Sequence, residues 1–405
     1  MRAGRPRILL IAHGARHTGY GRVVKSLLPR LAGAYDIHHF SLDGAPQQLD
    51  WRWTTYARSL PADIHGRPQI AALARRLRPQ LVWFVHDLYL LHLHAEALAT
   101  LSPRPRIAVY FPVDGPVCRP GAFEVACRAD CAVVFTRFAR GEVERALRSI
   151  SARPRPSRPE VAVIPHGVDV ERFRPVGSSD ATITAISVAT GRETEVRAGT
   201  EDSFVVLNAN RNALRKRVDL TLAAFADFSR GKHPHVSLLL QMGRRDLGVE
   251  VAGEAHRLGI ADRVFMTTRS ESRPEIPDTQ LNMLYNAGDV GLNTATAEAW
   301  GLVAFEHAAT EAAQVLPDHG PLRELWGDAA LRVRAETTWP EAMDVVEHRL
   351  VSPRAVAARL ETLYRDPVLR RKMAARARRR ASAPELRWDA VAERWRGVLD
   401  RLIGA

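Results

Sequence analysis

Residues 204–228 read FVVLNANRNALRKRVDLTLAAFADF, which is an apolar run, a polar turn and an amphipathic stretch in succession. Residues 204–207 have the uninterrupted hydrophobicity of a strand that is covered on both faces. Residues 220–228 have the spacing of a helix with one apolar side. A buried strand followed directly by a helix is typical of a parallel sheet with crossover helices.

The same alternation of apolar runs and amphipathic stretches recurs along most of the chain. Strand-like runs lie at residues 8–12, 81–85, 107–111, 131–135 and 161–164, and again at 236–241, 264–267 and 290–293. We therefore predict an α/β protein with two doubly wound Rossmann-like domains. The first domain spans 1–175 and the second spans 204–385, and we interpret 176–203 as a hinge or insert because Ser, Thr, Gly and Asp replace the strand pattern there.

Positive charge is unevenly distributed along the chain. The 58 basic and 45 acidic residues give a net charge of +13. Residues 1–175 carry 26 basic and 14 acidic side chains, residues 176–350 carry 18 and 25, and residues 351–405 carry 14 and 6. A solvated Arg-rich surface and an anionic partner both explain the basic segments. Because we find no interleaved aromatic residues and no recognisable nucleic-acid-binding module, we expect no nucleic-acid partner.

The apolar runs are too short to indicate a membrane protein. None of them reaches the ~20 residues that a spanning helix needs, and the run at 8–12 is shorter than the apolar region of a signal peptide. We therefore expect a cytoplasmic protein. Cys118, Cys127 and Cys131 are odd in number and lack zinc-site spacing, so we expect reduced thiols.

Open α/β sheets bind ligands beyond the carboxyl ends of their strands, and several polar or Gly-rich segments follow strands of the first domain. The segment 13–21 opens a helix, so Gly19 and Gly21 suit either a phosphate contact or a plain tight turn. His86 and Asp114 each follow a later strand. Their position favours a catalytic role and a structural capping role equally.

In the second domain, the turn after the strand at 204–208 holds Arg211 and Lys216 just before a helix. Two cations beside the free N–H groups of a helix start can together hold a diphosphate. Lys216 is informative because the chain has only 4 lysines. The neighbouring Arg215 and Arg217 fit ordinary solvated charges.

The strongest functional signal is residues 293–308, NTATAEAWGLVAFEHA, where a small-residue loop leads into a helix. Glu298 and Glu306 are two helical turns apart, a separation of about 12 Å. Between the two glutamates, the backbone N–H groups of four residues can donate hydrogen bonds to an anionic or hydroxyl group. These residues are Ala299, Trp300, Gly301 and Leu302. Two carboxylates are natural hydrogen-bond acceptors for the vicinal hydroxyls of a sugar. The alternative interpretation, a pair of surface glutamates on an amphipathic helix, does not explain the Trp-Gly-Leu sequence between them.

The order of these motifs resembles that of the retaining, family-four-type glycosyltransferases of the GT-B fold. The stretch from Glu298 to Glu306 resembles their Glu-x7-Glu motif, and Arg211 with Lys216 resembles their diphosphate-binding pair. Further matching segments lie at 163–173, 285–290 and 318–325, with a looser match at 18–21. The resemblance therefore covers most of the chain.

The resemblance implies two Rossmann-like domains that face a cleft, with a final helix at 386–405 that crosses back onto the first domain. In the second domain, Arg211 and Lys216 would stabilise the diphosphate leaving group. Glu306 would accept the ribose hydroxyls, and Glu298 would contact the donor sugar.

The first domain would bind the acceptor and complete the donor site. Gly19 and Gly21 would let the backbone approach the diphosphate. Asp114, or else His86, would touch the donor sugar.

The implied activity is transfer of a sugar from a nucleotide-diphosphate donor to a hydroxyl acceptor with retention, and the departing phosphate would take the acceptor's proton. The resemblance implies no cofactor or metal, and the sequence has no Asp-x-Asp motif. The acceptor would be a glycan, a lipid or a small natural product, and the basic first domain favours an anionic acceptor or a peripheral contact with an acidic membrane. A hinged two-domain binding protein without transferase activity is the alternative.

Three positions depart from the family pattern. Ala299 replaces the usual Gly after the first Glu but keeps its N–H group. Glu311 and Ala313 stand where the family commonly has Gly and then Pro. Because a helix-ending Gly has a positive φ that Glu adopts only at a cost, we expect a changed helix end with consequences for substrate preference or activity.

Overall fold

The computed structural model describes residues 4–14, 18–44, 52–59, 63–150, 158–177, 182–197, 203–272, 274–341 and 344–404. The chain forms two compact units. The N-terminal unit consists of Met1–Gly167, Met343–Val346 and Glu385–Ala405. The C-terminal unit consists of Val168–Ala342 and Glu347–Pro384.

The N-terminal unit is built on a seven-stranded parallel sheet. Its strands are β1 (Arg7–Ala12), β2 (Asp36–Ser41), β3 (Thr54–Ala57), β4 (Leu81–Val85), β5 (Arg106–Tyr110), β6 (Cys131–Val134) and β7 (Glu160–Val163). The spatial order is β3-β2-β1-β4-β5-β6-β7. Every residue of β4 and β6 is buried, as expected for strands covered on both faces.

Four helices connect these strands: α1 (Gly19–Leu31), α2 (Arg67–Leu77), α3 (Tyr89–Ala99) and α4 (Arg137–Ser149). The Thr136 hydroxyl caps α4 by accepting a hydrogen bond from the Ala139 N–H group. A 3₁₀ helix, Pro120–Arg128, follows β5. None of the helices in the described ranges combines the length and hydropathy needed to span a membrane.

The C-terminal unit contains an eight-stranded sheet and a two-stranded antiparallel hairpin. Its strands are β8 (Thr182–Ser187), β9 (Glu193–Arg197), β10 (Phe204–Asn208), β11 (Val236–Leu240), β12 (Val264–Met266), β13 (Val290–Leu292), β14 (Ala313–Pro317), β15 (Leu331–Val333), β16 (Ala335–Pro340) and β17 (Glu347–Val351). The sheet order is β15-β14-β13-β10-β11-β12-β8-β9. The predicted Rossmann-like architecture is therefore confirmed for both units.

The helices of this unit connect and cover its strands. They are α5 (Val218–Ser229), α6 (Val251–Arg257), α7 (Asp278–Asn286), α8 (Leu302–Ala309), α9 (Gly320–Trp326), α10 (Pro353–Arg365) and α11 (Pro367–Ala381). The turn before α5 and the loop before α8 follow β10 and β13, which are paired in parallel. The two segments with the strongest functional signal therefore come together at one edge of the sheet.

The interpretation of 176–203 as a hinge or insert is wrong for its described part. Residues 182–187 and 193–197 form β8 and β9, an antiparallel pair that extends the second sheet at its edge. An edge strand can expose one face, so its Thr and Glu side chains hide the strand signal in the composition. Residues 178–181 and 198–202 lie outside the described residues.

The boundary between the units lies at residue 167, earlier than the predicted 175. Phe173 is buried and its ring contacts Tyr285 of α7 with centroids 5.5 Å apart. The Asn282 and Asn286 side chains accept hydrogen bonds from the Arg174 and Val176 N–H groups. These contacts fix the segment after residue 167 to the C-terminal unit.

The final helix, α12 (Trp388–Gly404), belongs to the N-terminal unit. Trp395 is fully buried, and its ring lies 4.4 Å from that of Trp83 in β4 and 5.0 Å from that of Tyr110 in β5. Tyr35 donates a hydrogen bond of 2.6 Å to Asp400 at the far end of the helix. The apolar face of this helix thus closes the core of the N-terminal unit.

Replacement of Trp395 by Ala should destabilise the N-terminal unit by about 3–5 kcal/mol, because it leaves a cavity against two aromatic rings. Arg394→Ala on the exposed side of the same helix should change stability by less than about 0.5 kcal/mol. Denaturant titration followed by circular dichroism measures both variants. Equal midpoints for the two variants would show that α12 is not part of the core.

Candidate functional site

The turn between β10 and α5 places Lys216 at the carboxyl edge of the second sheet. Residues Leu214–Lys216 form a short 3₁₀ turn, and Arg217 then adopts a left-handed conformation with φ 49° immediately before α5. The side chain of Lys216 is 12% exposed. The turn therefore holds a largely buried ammonium group at the entrance of a helix.

Glu298 is the partner of this ammonium group. Its carboxylate accepts a hydrogen bond from Lys216 Nζ and another of 3.3 Å from the Asn293 amide. Arg215 Nη1 lies 3.9 Å from the second carboxylate oxygen. Burial alone would raise the pKa of Glu298, but Lys216, Arg215 and these hydrogen bonds together lower it, so the group is ionised.

Hydrogen bonds to backbone carbonyls join the Lys216 turn to the Glu298 loop. The Thr296 N–H group donates to the Arg215 carbonyl at 2.8 Å, and Arg215 Nη1 donates to the Ala297 carbonyl at 2.7 Å. The Thr294 hydroxyl donates a hydrogen bond of 2.9 Å to the Arg217 carbonyl. The two loops therefore form one rigid unit, and Arg215 is part of it rather than a solvated charge.

The small-residue loop ends where α8 begins. Gly301 has φ 82°, a conformation that favours glycine, and Leu302 is the first helical residue. The Trp300 ring is buried and stacks on Phe305 at 5.0 Å, which fixes the direction in which the loop enters the helix. Ala299 is also buried. The first N–H groups of a helix have no partner within it, so this loop end can receive an acceptor oxygen.

Glu306 lies inside α8 and is 5% exposed. The Tyr285 hydroxyl donates a hydrogen bond of 2.8 Å to its carboxylate. The His307 ring stacks on Tyr285, and its Nε2 donates to the Gly288 carbonyl at 3.1 Å. Burial lowers the pKa of His307 to about 4, so this ring is neutral and acts as a structural support.

Arg211 occupies a different environment from Lys216. Its guanidinium forms a bidentate pair with Asp246, at 2.7 and 3.0 Å, and its side chain is 47% exposed. The hydrogen bonds that Arg211 donates to Asp246 raise the pKa of the guanidinium further. In this structure, therefore, the two cations predicted to bind a diphosphate have different carboxylate partners. Arg211 pairs with Asp246, and Lys216 pairs with Glu298.

In the N-terminal unit, His86 follows β4 and is 6% exposed. Its Nδ1 accepts a hydrogen bond of 2.8 Å from the Asp87 N–H group, and its Nε2 lies 3.1 Å from Nε2 of His13. The ring stacks on Tyr20 at 5.0 Å and meets Tyr89 edge-on at 5.5 Å. Burial lowers the pKa of His86 to about 4, which keeps the ring neutral.

Asp114 lies in the half-buried loop that follows β5. The structure brings this loop to the same sheet edge as His86, because β4 and β5 are neighbours and the His86 N–H group donates to the Tyr110 carbonyl at 3.1 Å. Glu142 of α4 accepts a hydrogen bond of 2.7 Å from the Val117 N–H group and so anchors the end of the loop.

Gly19 and Gly21 lie in the first turn of α1, where they differ in accessibility. The Gly21 N–H group donates to the Thr18 hydroxyl at 3.0 Å, so Thr18 is the helix cap, and Gly21 is buried. Gly19 is exposed. The preceding residues 15–17 of the predicted Gly-rich segment lie outside the described residues.

A cavity of about 1060 Å³ lies in the N-terminal unit beside these residues. Its walls come from α3, from the 3₁₀ helix Pro120–Arg128 and from residues 111–112 after β5. Asp87 and Tyr89, which contact His86, also line it. Among the described residues, no group of three or more His, Cys, Asp or Glu side chains is arranged to hold a metal ion.

Several site residues were not identified from the sequence. Arg215 carried no signal beyond the Arg-rich composition. Tyr285 lies outside the stretch 293–308, and Asn293 is its first residue, so neither was assigned a role. His13 lies in the predicted Gly-rich segment, but only the fold shows that it reaches His86. Contacts of this kind join residues that are distant in the sequence.

No protein-family model matches the chain. The chain is 31% identical over 240 residues to the D-inositol 3-phosphate glycosyltransferase of Kineococcus radiotolerans, an alignment that covers 58% of this chain and 50% of that protein. The chain thus spans about half the length of this relative.

Solved structures resemble the chain over nearly its full length. One is the sucrose-phosphate synthase of Thermosynechococcus elongatus, with a TM-score of 0.73 and 19% identity, covering 99% of this chain and 100% of that one. Another is Anabaena HepE in complex with UDP-glucose, with a TM-score of 0.70 and 15% identity, covering 98% and 99%. These likenesses confirm the predicted GT-B type of fold, with two Rossmann-like domains.

Removal of one partner of the buried Lys216–Glu298 pair should be costly. Lys216→Met leaves a buried carboxylate without its cation and should destabilise the C-terminal unit by about 3–5 kcal/mol. The double variant Lys216→Met/Glu298→Gln should recover a large part of that loss, while exposed Arg230→Met should have little effect. Urea titration of these variants and of the single variant Glu298→Gln gives four values, and a double variant whose effect equals the sum of the two single effects would contradict the pairing.

Glu311 has a φ of 69°, so the strain expected for a non-glycine residue after α8 is present. Arg378 compensates in part through an ion pair of 2.6 Å between half-exposed side chains. Glu311→Gly should therefore stabilise the protein by about 0.5–1 kcal/mol, because the relief of backbone strain exceeds the loss of a surface ion pair. Glu311→Gln retains the strain and should be neutral or slightly destabilising. Thermal melts compare the two, and a lower Tm for the Gly variant would be the contrary result.

Proposed function

We propose that the protein is a glycosyltransferase that moves a sugar from a nucleotide-diphosphate donor to a hydroxyl acceptor with retention of the anomeric configuration. The observation that carries the proposal is the rigid unit of the Lys216 turn and the Glu298 loop, followed within α8 by the buried carboxylate of Glu306. This arrangement supplies a cation, the N–H groups at the start of α8 and two ionisable acceptors on one sheet edge. No resident metal or cofactor is part of the proposal.

The C-terminal unit binds the diphosphate in this proposal. As the anomeric C–O bond breaks, negative charge grows on the diphosphate, and the Lys216 ammonium stabilises it because Glu298 already holds that group in place. Arg211 adds a second cation once the phosphate competes with Asp246 for its guanidinium. The N–H groups of residues 299–302 complete the anion site.

The two glutamates recognise the hydroxyl groups of the donor. Glu306 accepts hydrogen bonds from the ribose, and Tyr285 fixes the carboxylate orientation by donating to one of its oxygens. Glu298 accepts from the hydroxyls of the transferred sugar through the oxygen that faces away from Lys216. The bond between Lys216 and Glu298 therefore links sugar recognition to stabilisation of the leaving group.

The N-terminal unit holds the acceptor in the cavity beside His86. Its lining mixes arginine and carboxylate side chains with the His92 imidazole; the charged residues are Arg67, Arg128, Asp87, Glu96, Glu124 and Asp344. Such a mixture offers both hydrogen-bond donors and acceptors, so it suits an acceptor molecule rich in hydroxyl groups better than an acceptor molecule that is uniformly anionic. His86 and Asp114 are the residues of this unit assigned to the donor sugar, and Gly19 approaches the diphosphate.

The names of the similar proteins support this substrate class. The matched relative is a D-inositol 3-phosphate glycosyltransferase, and one matched structure contains UDP-glucose. Because residues 1–175 and 351–405 each carry a net positive charge, we also propose a peripheral contact with an acidic membrane. Liposome co-sedimentation tests that contact, and equal binding to neutral and anionic vesicles would reject it.

A screen of nucleotide sugars against inositol, sugar and sugar-phosphate acceptors, read by mass spectrometry, should identify a transfer product. Lys216→Met and Glu306→Gln should each lower kcat by about 10²–10³-fold, because each removes a group that meets the donor. Exposed Lys372→Met and Glu324→Gln serve as matched controls and should retain activity. The anomeric proton of the product, observed by NMR, should show the configuration of the donor.

Two results would contradict the proposal. Full activity in a folded Glu306→Gln protein would remove the carboxylate from the donor site. Nucleotide-sugar binding without turnover against any acceptor would favour the hinged binding protein instead.

A further inference from the structure

The hydrogen bonds around His86 determine which of its nitrogens carries the proton. The Asp87 N–H group is a donor, so the His86 Nδ1 atom that it contacts at 2.8 Å must be unprotonated. The Asp87 carboxylate lies 3.7 Å from the same nitrogen, beyond hydrogen-bond distance. The single ring proton of neutral His86 is therefore on Nε2.

This assignment also determines the state of His13. Because His86 Nε2 carries the proton, it donates to His13 Nε2 across 3.1 Å, and His13 Nε2 is the acceptor. With Nε2 as the acceptor, the His13 ring proton lies on Nδ1, which faces the Asp43 carboxylate at 3.6 Å, beyond hydrogen-bond distance. Asp43 is itself fixed, since it accepts from the Gly14 N–H group and the Ser41 hydroxyl at 2.9 Å each.

His13 and His86 differ in their exposure. His86 is buried and is enclosed by Tyr20, which stacks on it, and by Tyr89. The His13 side chain is 29% exposed and lies at the end of β1, outside the sheet. The acceptor of the His86 proton is therefore the more accessible of the two rings.

We propose that His13 occupies, in the ligand-free protein, the position at which a hydroxyl oxygen of the substrate sugar accepts the His86 Nε2–H hydrogen bond. On binding, the hydroxyl replaces His13, while the Asp87 N–H group keeps the His86 proton on Nε2. His13 is thus a positioning residue that satisfies a buried donor until the sugar arrives. This inference rests on the proposed function, because it assigns His86 to a sugar.

The tautomers can be measured without any ligand. Long-range ¹H–¹⁵N NMR of the full chain, assigned with His86→Phe and His13→Phe, should show His86 protonated on Nε2 and His13 protonated on Nδ1 near pH 7. A His86 ring protonated on Nδ1 would overturn the inference, whether or not the protein transfers sugars.

The exchange is tested by donor affinity. His13→Phe keeps a ring but removes the acceptor, so the nucleotide sugar identified by the transfer screen should bind about two- to tenfold more tightly, the value of one neutral hydrogen bond. The corresponding nucleoside diphosphate without sugar should show no such gain. His13→Gln retains an acceptor and should give a smaller gain than His13→Phe.

Calorimetric titration separates the two possible failures. If the wild-type protein binds no nucleotide sugar, the proposed function is wrong, while the NMR spectra still report the His pair. If it binds one but His13→Phe does not bind it more tightly, or if the gain persists in a His86→Phe background, the exchange is wrong and the proposed function stands.

Discussion

The site depends on a buried ion pair between Lys216 and Glu298. Charged groups of this kind remain ionised away from water only when their attraction and hydrogen bonds offset the cost of desolvation. Here Asn293 bonds the carboxylate directly, while Arg215 lies near it and bonds the loop backbone. The turn after β10 and the loop after β13 must therefore keep one fixed relation, and the site is formed before any ligand binds.

The same constraint explains how the remaining groups are held ready. Glu306 is fixed by Tyr285, and Arg211 is held by Asp246, so the charged groups of the C-terminal unit already have protein partners. In the N-terminal unit, His13 satisfies the buried His86 donor. In the proposed function, the hydroxyl and phosphate oxygens of the substrate take the place of some of these protein partners, and selectivity follows from how well they do so.

The sequence predicts the sheets and the Glu298 loop because their signals are local. A continuous apolar strand followed by an amphipathic helix needs no distant partner to be recognised, as residues 204–228 show. The edge pair β8 and β9 was missed because its Thr and Glu side chains resemble a loop in composition. Arg215, Tyr285 and His13 were missed because their roles arise only when strands distant in sequence become neighbours. The changed helix end expected at Glu311 is not observed, because Glu311 adopts the left-handed conformation that a helix-ending glycine would have.

A crystal structure of the protein with a bound nucleoside diphosphate would test the central claim most directly. The phosphate oxygens should lie within hydrogen-bond distance of Lys216 Nζ and of the N–H groups at the start of α8, with the ribose hydroxyls on Glu306. A diphosphate bound elsewhere, with Lys216 and Glu306 contacting only their present protein partners, would contradict it.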